Sequence, residues 1–287
     1  MNILVVHNPK SGNSQQLDEI KKAFATHNIE PDYIAITDTK LGHVIKTTVK
    51  TKGATVVAAG GDGTINAVAS YLYGTPCKLG VIPAGTLNHF AKTLNVPLDI
   101  PQAVKRIVKG AHQQIDIGTV NDHVFVNNTS IGFYPRSLRV RDAYSQPLGK
   151  WPAAMLGFIK TALRPHRYRI ELSIDGKEQT LRTPFIFIGN NSYTSGTGVS
   201  ERDSVQTGKL AVYVIKTTSV FGTMRTLWHL AFTKKRRTKD FTVHLTDACT
   251  IRTKHHRKMH VACDGEVLTL ATPLHYRSEP KSLRVIC

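Results

Sequence analysis

The chain has 287 residues, of which 41% are hydrophobic, and its mean hydropathy is −0.18. This length favours two domains over one. No run of about 18 apolar residues occurs, so we do not expect a membrane-spanning helix. The start, MNILVVHNPKSG, lacks the basic region and long apolar stretch of a secretory signal. Four scattered cysteines without a paired framework fit a reducing compartment, and we expect a cytoplasmic protein.

The charge balance is strongly basic. Lysine and arginine number 38 against 20 acidic residues, which gives a net charge of +18. Such a surface favours polyanions, namely nucleic acid, anionic lipid or phosphorylated small molecules. Aromatic residues make up only 7% of the chain and do not alternate with the basic ones, so we expect no specific nucleic-acid partner. The basic run 234–237 follows an amphipathic segment, 220–232, and fits peripheral contact with an anionic membrane.

The first part of the chain alternates apolar runs with helix-period segments. Strands are predicted over 2–7, 33–37, 54–60 and 78–83, with helices between them. This alternation predicts a doubly wound α/β domain over 1–122, with a mostly parallel sheet. Ligands of such sheets bind beyond the carboxyl ends of the strands.

The second part, 123–287, is rich in strands and predicts an antiparallel β-sandwich domain. YRIELSIDG alternates strictly, and its Asp175-Gly176 pair is a strong hairpin signal. The last residues of the chain are candidates for a return to the first domain. A helix predicted over 150–164 places Trp151, Met155, Ile159 and Leu163 on one stripe. We expect this stripe to pack in the core, as most such stripes do.

Three loops follow predicted strands of the first domain, and each leads into a helix. In the first loop, HNPKSG, the residues Asn8, Ser11 and Gly12 offer amides and small polar groups ahead of a helix N-terminus, which suits a phosphate. The GxxxxGK[ST] spacing of a P-loop is absent.

The second loop is Gly60-Gly61-Asp62-Gly63-Thr64. Its glycines remove Cβ atoms that would block a phosphate chain, and Thr64 is a candidate helix cap. A carboxylate beside phosphates is repulsive unless a divalent cation bridges the two or the acid orients a hydroxyl. Asp62 therefore favours a nucleotide site over a plain turn.

The third loop, PAGTLNHFAKTLN, places Thr86 and Asn88 where a strand meets a helix. Any one of the three loops is a weak signal. Their order, each at the end of a strand, is far more specific.

NPKSG, GGDGT and PAGTLNHFA together resemble the three nucleotide-loop signatures of the diacylglycerol kinase catalytic-domain family, which includes bacterial lipid kinases and is related to sphingosine kinases. NNTSIGF (127–133) and CDGE (263–266) extend the likeness into the second domain. The resemblance implies ATP and Mg²⁺ bound in a cleft between the two domains. It also implies transfer of the γ-phosphoryl group to the hydroxyl of a lipid such as diacylglycerol, a step of phospholipid metabolism.

The resemblance also implies residue roles. Glu266 would be the base that takes the hydroxyl proton, supported by Asp264, which is also a metal candidate. Asp62 would hold the ATP-bound Mg²⁺ and act in catalysis. The implied nucleotide contacts are Asn8, Ser11, Gly12, Thr37, Gly60, Gly61, Gly63, Thr64, Asn66 and Thr86.

Two positions depart from the family pattern. His89 stands where many members have an acid, which changes the local charge. Thr207 stands where bacterial members often have an acid that holds a structural Mg²⁺, so we do not predict that metal here.

Two alternatives stay open. An NAD kinase-like enzyme shares the GGDGT loop, although PAGTLNHFA and CDGE argue against it. A non-catalytic lipid- or anion-binding module on a degenerate kinase scaffold is favoured by His89 and Thr207. The sequence leaves open the lipid acceptor and the oligomeric state, with a homodimer as one option.

Overall fold

The computed structural model describes residues 2–9, 14–86, 88–163, 166–192, 205–215, 241–254 and 256–287. The chain forms two compact units. One comprises the residues up to Ile117 together with Pro280–Cys287, and the other is Gly118–Glu279. The predicted segment 220–232 and the basic run 234–237 lie outside the described residues.

The first unit has a parallel sheet in the strand order β2-β1-β3-β4, and the end of β16 adds a parallel strand beside β4. Its elements in chain order are β1 (Ile3–His7), α1 (Ser14–Ala25), β2 (Asp32–Ala35), α2 (Leu41–Val49), β3 (Thr55–Gly60), α3 (Asp62–Leu72), β4 (Lys78–Pro83), α4 (His89–Thr93) and α5 (Ile100–Lys109). Strand β16 is Leu274–Ile286.

Helices cover this sheet, whose strands are mostly buried. Every residue of β3 is buried, as in a parallel sheet covered on both faces. Helices α1 and α5 pack together through Phe24 and Ile107 over Val5 and Val57, while α3 packs on β3 and β4. The predicted doubly wound α/β domain is confirmed.

The second unit is a β-sandwich. Its elements are the end of β5 (His112–Val120), β6 (His123–Phe125), β7 (Asn128–Gly132), α6 (Phe133–Leu148), α7 (Lys150–Leu163), β8 (Tyr168–Ile174), β9 (Lys177–Thr183), β10 (Phe185–Asn190), β11 (Leu210–Ile215), β12 (Phe241–Thr246), β13 (Ala248–Thr253), β14 (Lys258–Cys263), β15 (Glu266–Ala271) and the start of β16, up to Glu279. One sheet has the order β12-β11-β10-β7-β14-β15, and in the other β16 is followed by β13, β8 and β9.

The strands of these two sheets pair antiparallel. Ile131 and Val261 of the first sheet pack in one buried cluster with Leu172 and Ile251 of the second. The predicted antiparallel sandwich is therefore confirmed. Position 122, the expected domain boundary, falls in the turn between β5 and β6.

The hairpin predicted at Asp175-Gly176 joins β8 to β9. Both residues have positive φ angles, 49° and 75°, as the primed two-residue turns of hairpins require. Along β8, Ile170, Leu172 and Ile174 are buried in alternation with less buried residues, as the pattern predicted.

The expectation that the α7 stripe packs in the core is wrong. Trp151, Met155, Ile159 and Leu163 are 76%, 64%, 46% and 71% exposed. Helix α7 packs on α6 through its small residues instead. At Gly157 a Cβ would lie 2.5 Å from the carbonyl oxygen of Ser137, so the two helices approach closely and the large apolar residues face away.

None of the helices in the described ranges is long and apolar enough to cross a membrane.

Gly132, in the NNTSIGF motif, tests whether the junction of β7 and α6 needs a glycine. Its φ is +93°, and a Cβ there would overlap the carbonyl oxygen of Pro184. We expect Gly132→Ala to destabilise the protein by about 3 kcal/mol, because backbone strain and a steric clash add. Urea unfolding followed by circular dichroism measures this.

The matched control is Gly176→Ala. Gly176 also has a positive φ, +75°, but a Cβ there would meet nothing within 4 Å. We expect it to cost about 1 kcal/mol. Equal losses in the two variants would contradict the steric role of Gly132.

Candidate functional site

The three predicted loops start at the same edge of the parallel sheet. His7 pairs with Ala59, and Gly60 pairs with Pro83, so β1, β3 and β4 end level with one another. The Asn8 N–H donates to the Ala59 carbonyl at 3.2 Å. The structure therefore brings the loops together at the carboxyl ends of the strands, as expected.

Glycines let the second and third loops touch backbone to backbone. A Cβ on Gly85 would lie 2.5 Å from the Gly61 Cα, and a Cβ on Gly60 would overlap the Thr64 side chain. The Ala84 N–H donates to the Gly60 carbonyl at 3.0 Å. These glycines are thus required by the packing of the loops themselves, a reason that the sequence analysis did not consider. Gly85 was not among the predicted site residues, although the G-T pair after β4 was an available signal for it.

Asp62 ties the second loop to the third. Its two carboxylate oxygens accept one backbone N–H each, from His89 at 3.1 Å and from Phe90 at 2.9 Å. These are amides at the start of α4, where helix N–H groups lack partners of their own. Asp62 is therefore not an acid of a turn that only water contacts, because both of its carboxylate oxygens accept hydrogen bonds from the protein. His89 contacts Asp62 through its backbone N–H group.

Asn88, which the sequence analysis placed near the ligand, completes the third loop. It has a φ of +50° and is buried. Its side chain accepts from the Gly85 N–H at 3.0 Å and donates to the Gly85 carbonyl at 2.9 Å. The amide of Asn88 therefore fixes the loop that Asp62 holds.

Polar groups that could contact a nucleotide lie at the start of α3. The N-cap residue of this helix is Gly61, so Thr64 lies inside the first turn and the expectation that it caps the helix is wrong. The buried Thr64 hydroxyl accepts from the Asn8 side-chain amide at 3.3 Å. On the next turn, the Oδ1 atom of Asn66 is buried and has no hydrogen-bond partner in the described part of the chain. A helix N-terminus beside such polar groups suits a phosphate chain.

For a nucleotide-bound Mg²⁺, the described residues at this edge offer the Asp62 carboxylate as a ligand. Each oxygen of the Asp62 carboxylate can accept more than the single N–H that it receives. Within the described ranges, no three His, Cys, Asp or Glu side chains are grouped as a metal site. An ion here would therefore be held mainly by phosphates and water, as Mg²⁺ commonly is. Burial, and then the charge of Lys21, lower the pKa of His7 below its usual value, so His7 adds no positive charge near pH 7.

The other predicted nucleotide residues lie at the same sheet edge or nearby. Gly63 is in the first turn of α3. Thr37 is exposed in the turn after β2, and Thr86 is exposed in the third loop. Ser11 and Gly12 lie outside the described residues.

Asp264 and Glu266 belong to the second unit. The Asp264 carboxylate accepts three backbone N–H groups, from Val126 at 2.7 Å and from Asn127 and Asn128 at 2.9 Å each. Asp264 has a φ of +46° and joins β14 to β15. Its carboxylate therefore anchors this turn to the segment between β6 and β7.

Glu266, the first residue of β15, is exposed and pairs with Cys263 across the turn. Burial raises the pKa of the Cys263 thiol to about 12. This cysteine therefore stays protonated and is no nucleophile, which leaves Glu266 as the accessible reactive group of the CDGE motif.

Thr207, the second position that departs from the family pattern, forms hydrogen bonds with an amide side chain and with a backbone N–H group. Its N–H donates to Oδ1 of the buried Asn191 at 2.9 Å, and its hydroxyl donates to the same atom. The Lys209 N–H donates to the Thr207 hydroxyl at 3.3 Å. These hydrogen bonds join the residue that follows β10 to the segment that leads into β11.

Comparison with known proteins agrees with the fold and the motifs. Residues 2–120 match the diacylglycerol kinase catalytic domain. Residues 140–287 match the YegS C-terminal NAD kinase beta sandwich-like domain. The two matches cover most of the chain. The chain belongs to the diacylglycerol kinase catalytic-domain family of kinases, with a C-terminal domain of the YegS type.

The curated relatives are longer than the part they share with this chain. An uncharacterized protein of Synechocystis is 27% identical over 240 residues, which is 80% of this chain and 54% of the relative. A probable YegS-like lipid kinase of Yersinia enterocolitica is 46% identical over 87 residues, 29% of each chain. The chain thus spans about half of the first relative's length and less than a third of the second's.

Solved structures support the fold. A diacylglycerol kinase from Bacillus anthracis aligns with a TM-score of 0.70 at 19% identity, covering 99% of this chain and 96% of that one. A second Bacillus anthracis structure aligns with a TM-score of 0.76 at 23% identity, covering 99% and 97%. At these identities the likeness establishes the shared fold.

Asp62→Asn tests the contact between the second and third loops. The asparagine keeps one acceptor oxygen and turns an NH₂ group toward the other backbone N–H, so we expect a loss of about 2 kcal/mol. Hydrogen exchange by mass spectrometry should show faster exchange at the amides of His89 and Phe90.

The matched control is Asp38→Asn, because Asp38 also accepts a backbone N–H, from Lys40 at 2.8 Å, but at an exposed site. We expect it to leave the amides of α4 unchanged. Exchange at His89 and Phe90 that is equal in all three proteins would contradict the proposed contact.

Proposed function

We propose that the protein is an ATP-dependent lipid kinase that transfers the γ-phosphoryl group of ATP·Mg²⁺ to the hydroxyl of a lipid such as diacylglycerol. The observation that carries this proposal is the meeting of three loops at one sheet edge, where Asp62 joins the second loop to the third and Asn8 joins the first to the second, in a chain of this kinase family. We further propose a cytoplasmic protein that acts at an anionic membrane surface and has no specific nucleic-acid partner.

In this proposal, the first unit binds the nucleotide phosphates. The N–H groups of the first turn of α3, which a helix leaves without partners of its own, would face the phosphate charge. The buried side-chain oxygen of Asn66, which has no partner in the described part of the chain, would accept a hydrogen bond from a donor group of the nucleotide or from water. Phosphoryl transfer requires little covalent chemistry of the protein and depends on positioning and charge stabilisation. Rigid loops are therefore the main catalytic requirement. When bound, Mg²⁺ supplies neutralisation of the phosphate charge, with Asp62 as its protein ligand.

The second unit supplies the base. Glu266 accepts the proton of the lipid hydroxyl as that oxygen attacks the γ-phosphorus. For this its carboxylate must come within about 2.6–3.2 Å of the hydroxyl oxygen in the reacting complex. Asp264 acts as a positioning residue, because its three backbone hydrogen bonds fix the turn that carries Glu266.

The same assay distinguishes lipid phosphorylation from two other candidate functions. An NAD kinase-like reaction is kept as a candidate because the C-terminal match is to an NAD kinase-like sandwich. A non-catalytic lipid- or anion-binding module would bind ATP or lipid without transferring phosphate. Acceptor choice among diacylglycerol, monoacylglycerol and sphingoid bases is decided by the same assay.

The test is transfer of labelled γ-phosphate from ATP·Mg²⁺ to a panel of lipid alcohols in anionic mixed micelles, with NAD as a separate acceptor. We expect one labelled lipid with the wild type. Glu266→Gln should lower the transfer rate by about 10²–10⁴-fold, because that is the usual contribution of a general base. Its pH–rate profile should lose the limb that reports the base.

The control variant is Glu178→Gln, which removes an equally exposed glutamate of the same unit, on β9. It should keep the wild-type rate. Labelled NAD instead of lipid would favour the NAD kinase-like function. Bound ATP with no labelled acceptor would favour the non-catalytic module, and full activity in Glu266→Gln would remove this residue from the mechanism.

A further inference from the structure

The exposed face of α7 is an unusual surface for a soluble protein. Four large apolar side chains, Trp151, Met155, Ile159 and Leu163, recur every fourth residue and are each about half exposed or more. At 1.5 Å per residue this apolar stripe is about 18 Å long. Single exposed hydrophobic residues are ordinary, but a continuous stripe marks an interaction surface.

The opposite face of α7 explains why the stripe cannot turn inward. Ala153 and Ala162 are buried, and Gly157 lies against the backbone of α6 at Ser137. Phe158 packs edge-on against Phe133, with ring centroids 5.2 Å apart. Rotation of the helix to bury the stripe would drive large side chains into this close contact. The stripe is therefore held outward by the packing of α6 on α7.

The helical hairpin that carries the stripe has an excess of basic residues. The α6–α7 hairpin, 133–163, contains five basic residues and one acidic residue, Asp142. Asp142 is already paired with the neighbouring Arg141 at 2.8 Å, and α7 itself contains no acidic residue. The Lys160 ammonium bonds to the Tyr144 hydroxyl at 2.9 Å and lies over its ring. An apolar helix face with basic flanks and a tryptophan at one end is the pattern of helices that lie in the surface of anionic bilayers.

We propose that α7 docks the protein on an anionic lipid surface, with Trp151, Met155, Ile159 and Leu163 inserted among the acyl chains and the neighbouring basic residues at the headgroups. This inference deepens the proposed function, on which it rests for the reason why the protein approaches a bilayer. It assigns the contact with the bilayer to helix α7. The strong net positive charge then attracts the protein to the surface, and the stripe holds it there.

Charge favours a bilayer over a second copy of the chain. A symmetric dimer would place this face against itself, so two hairpins with excess positive charge would meet with no free acid on either helix α7. Like charges across an interface are repulsive. An anionic membrane offers both the apolar interior and the opposite charge.

The test is co-sedimentation of the full chain with vesicles of phosphatidylglycerol and phosphatidylcholine, compared with vesicles of phosphatidylcholine alone. The variant Trp151→Gln/Met155→Gln/Leu163→Gln changes three exposed side chains and should fold normally, which its circular dichroism and unfolding curve check. We expect its binding to the anionic vesicles to be at least about tenfold weaker than that of the wild type.

The matched control is Leu98→Gln/Leu245→Gln, which replaces two exposed leucines outside the stripe, 53% and 57% exposed, and should bind as the wild type does. In Trp228→Phe, Trp151 is the one tryptophan left of the two in the chain. Its fluorescence should shift to shorter wavelength when anionic vesicles are added.

Unchanged vesicle binding by the triple variant would overturn the proposal, because charge alone would then account for the contact. A concentration-dependent dimer that the triple variant abolishes would overturn it in favour of a second copy. Kinase assays separate this inference from the proposed function. The triple variant should phosphorylate a water-soluble short-chain diacylglycerol normally and lose activity on the vesicle-bound lipid. If no acceptor is labelled at all, the proposed function fails, while the binding measurements still decide the role of α7.

Discussion

The hydrogen bonds from the backbone N–H groups of His89 and Phe90 to Asp62 are the contact on which the arrangement of the loops at this sheet edge depends. The second loop starts level with the third because β3 and β4 pair in register. Level strands alone do not fix the loops beyond them, since each loop could point in several directions. A charged carboxylate that accepts two consecutive N–H groups is a strong and directional restraint. It holds the start of α4 at the edge of the sheet.

The same device recurs in the second unit. Asp264, like Asp62, precedes a glycine and uses its carboxylate to accept backbone N–H groups of a segment far away in sequence. In both motifs the acid fixes a loop. An acid that orders its surroundings before the substrate arrives lowers the cost of arranging them during the reaction. In the proposed reaction these motifs therefore act as a rigid framework, and Glu266, which is exposed, is the group of the CDGE motif left to react.

Local patterns in the sequence predicted the elements well, and contacts between distant residues account for what they missed. The alternation of β8 and the Asp175-Gly176 turn depend on neighbouring residues, so both were read correctly. The partners of Asp62 are 27 and 28 residues away, and nothing in GGDGT names them. The three loops were located from their order along the chain. The backbone contact between Gly61 and Gly85 depends on how the two loops lie against each other, and local sequence patterns do not specify this.

The prediction that the apolar stripe of α7 packs in the core was wrong for a physical reason. Periodicity shows that a helix has an apolar face, but it does not say which face packs on the protein. That choice was made by Ala153, Gly157 and Ala162, whose small side chains permit a closer approach of α6 than the large ones would. The small residues of α7 therefore pack inward, and its large apolar residues stay exposed on a chain with a net charge of +18. Repulsion between such charges opposes the association of separate copies through the stripe. In the proposal that α7 docks on an anionic surface, the same charge attracts the protein to the place where the stripe is buried.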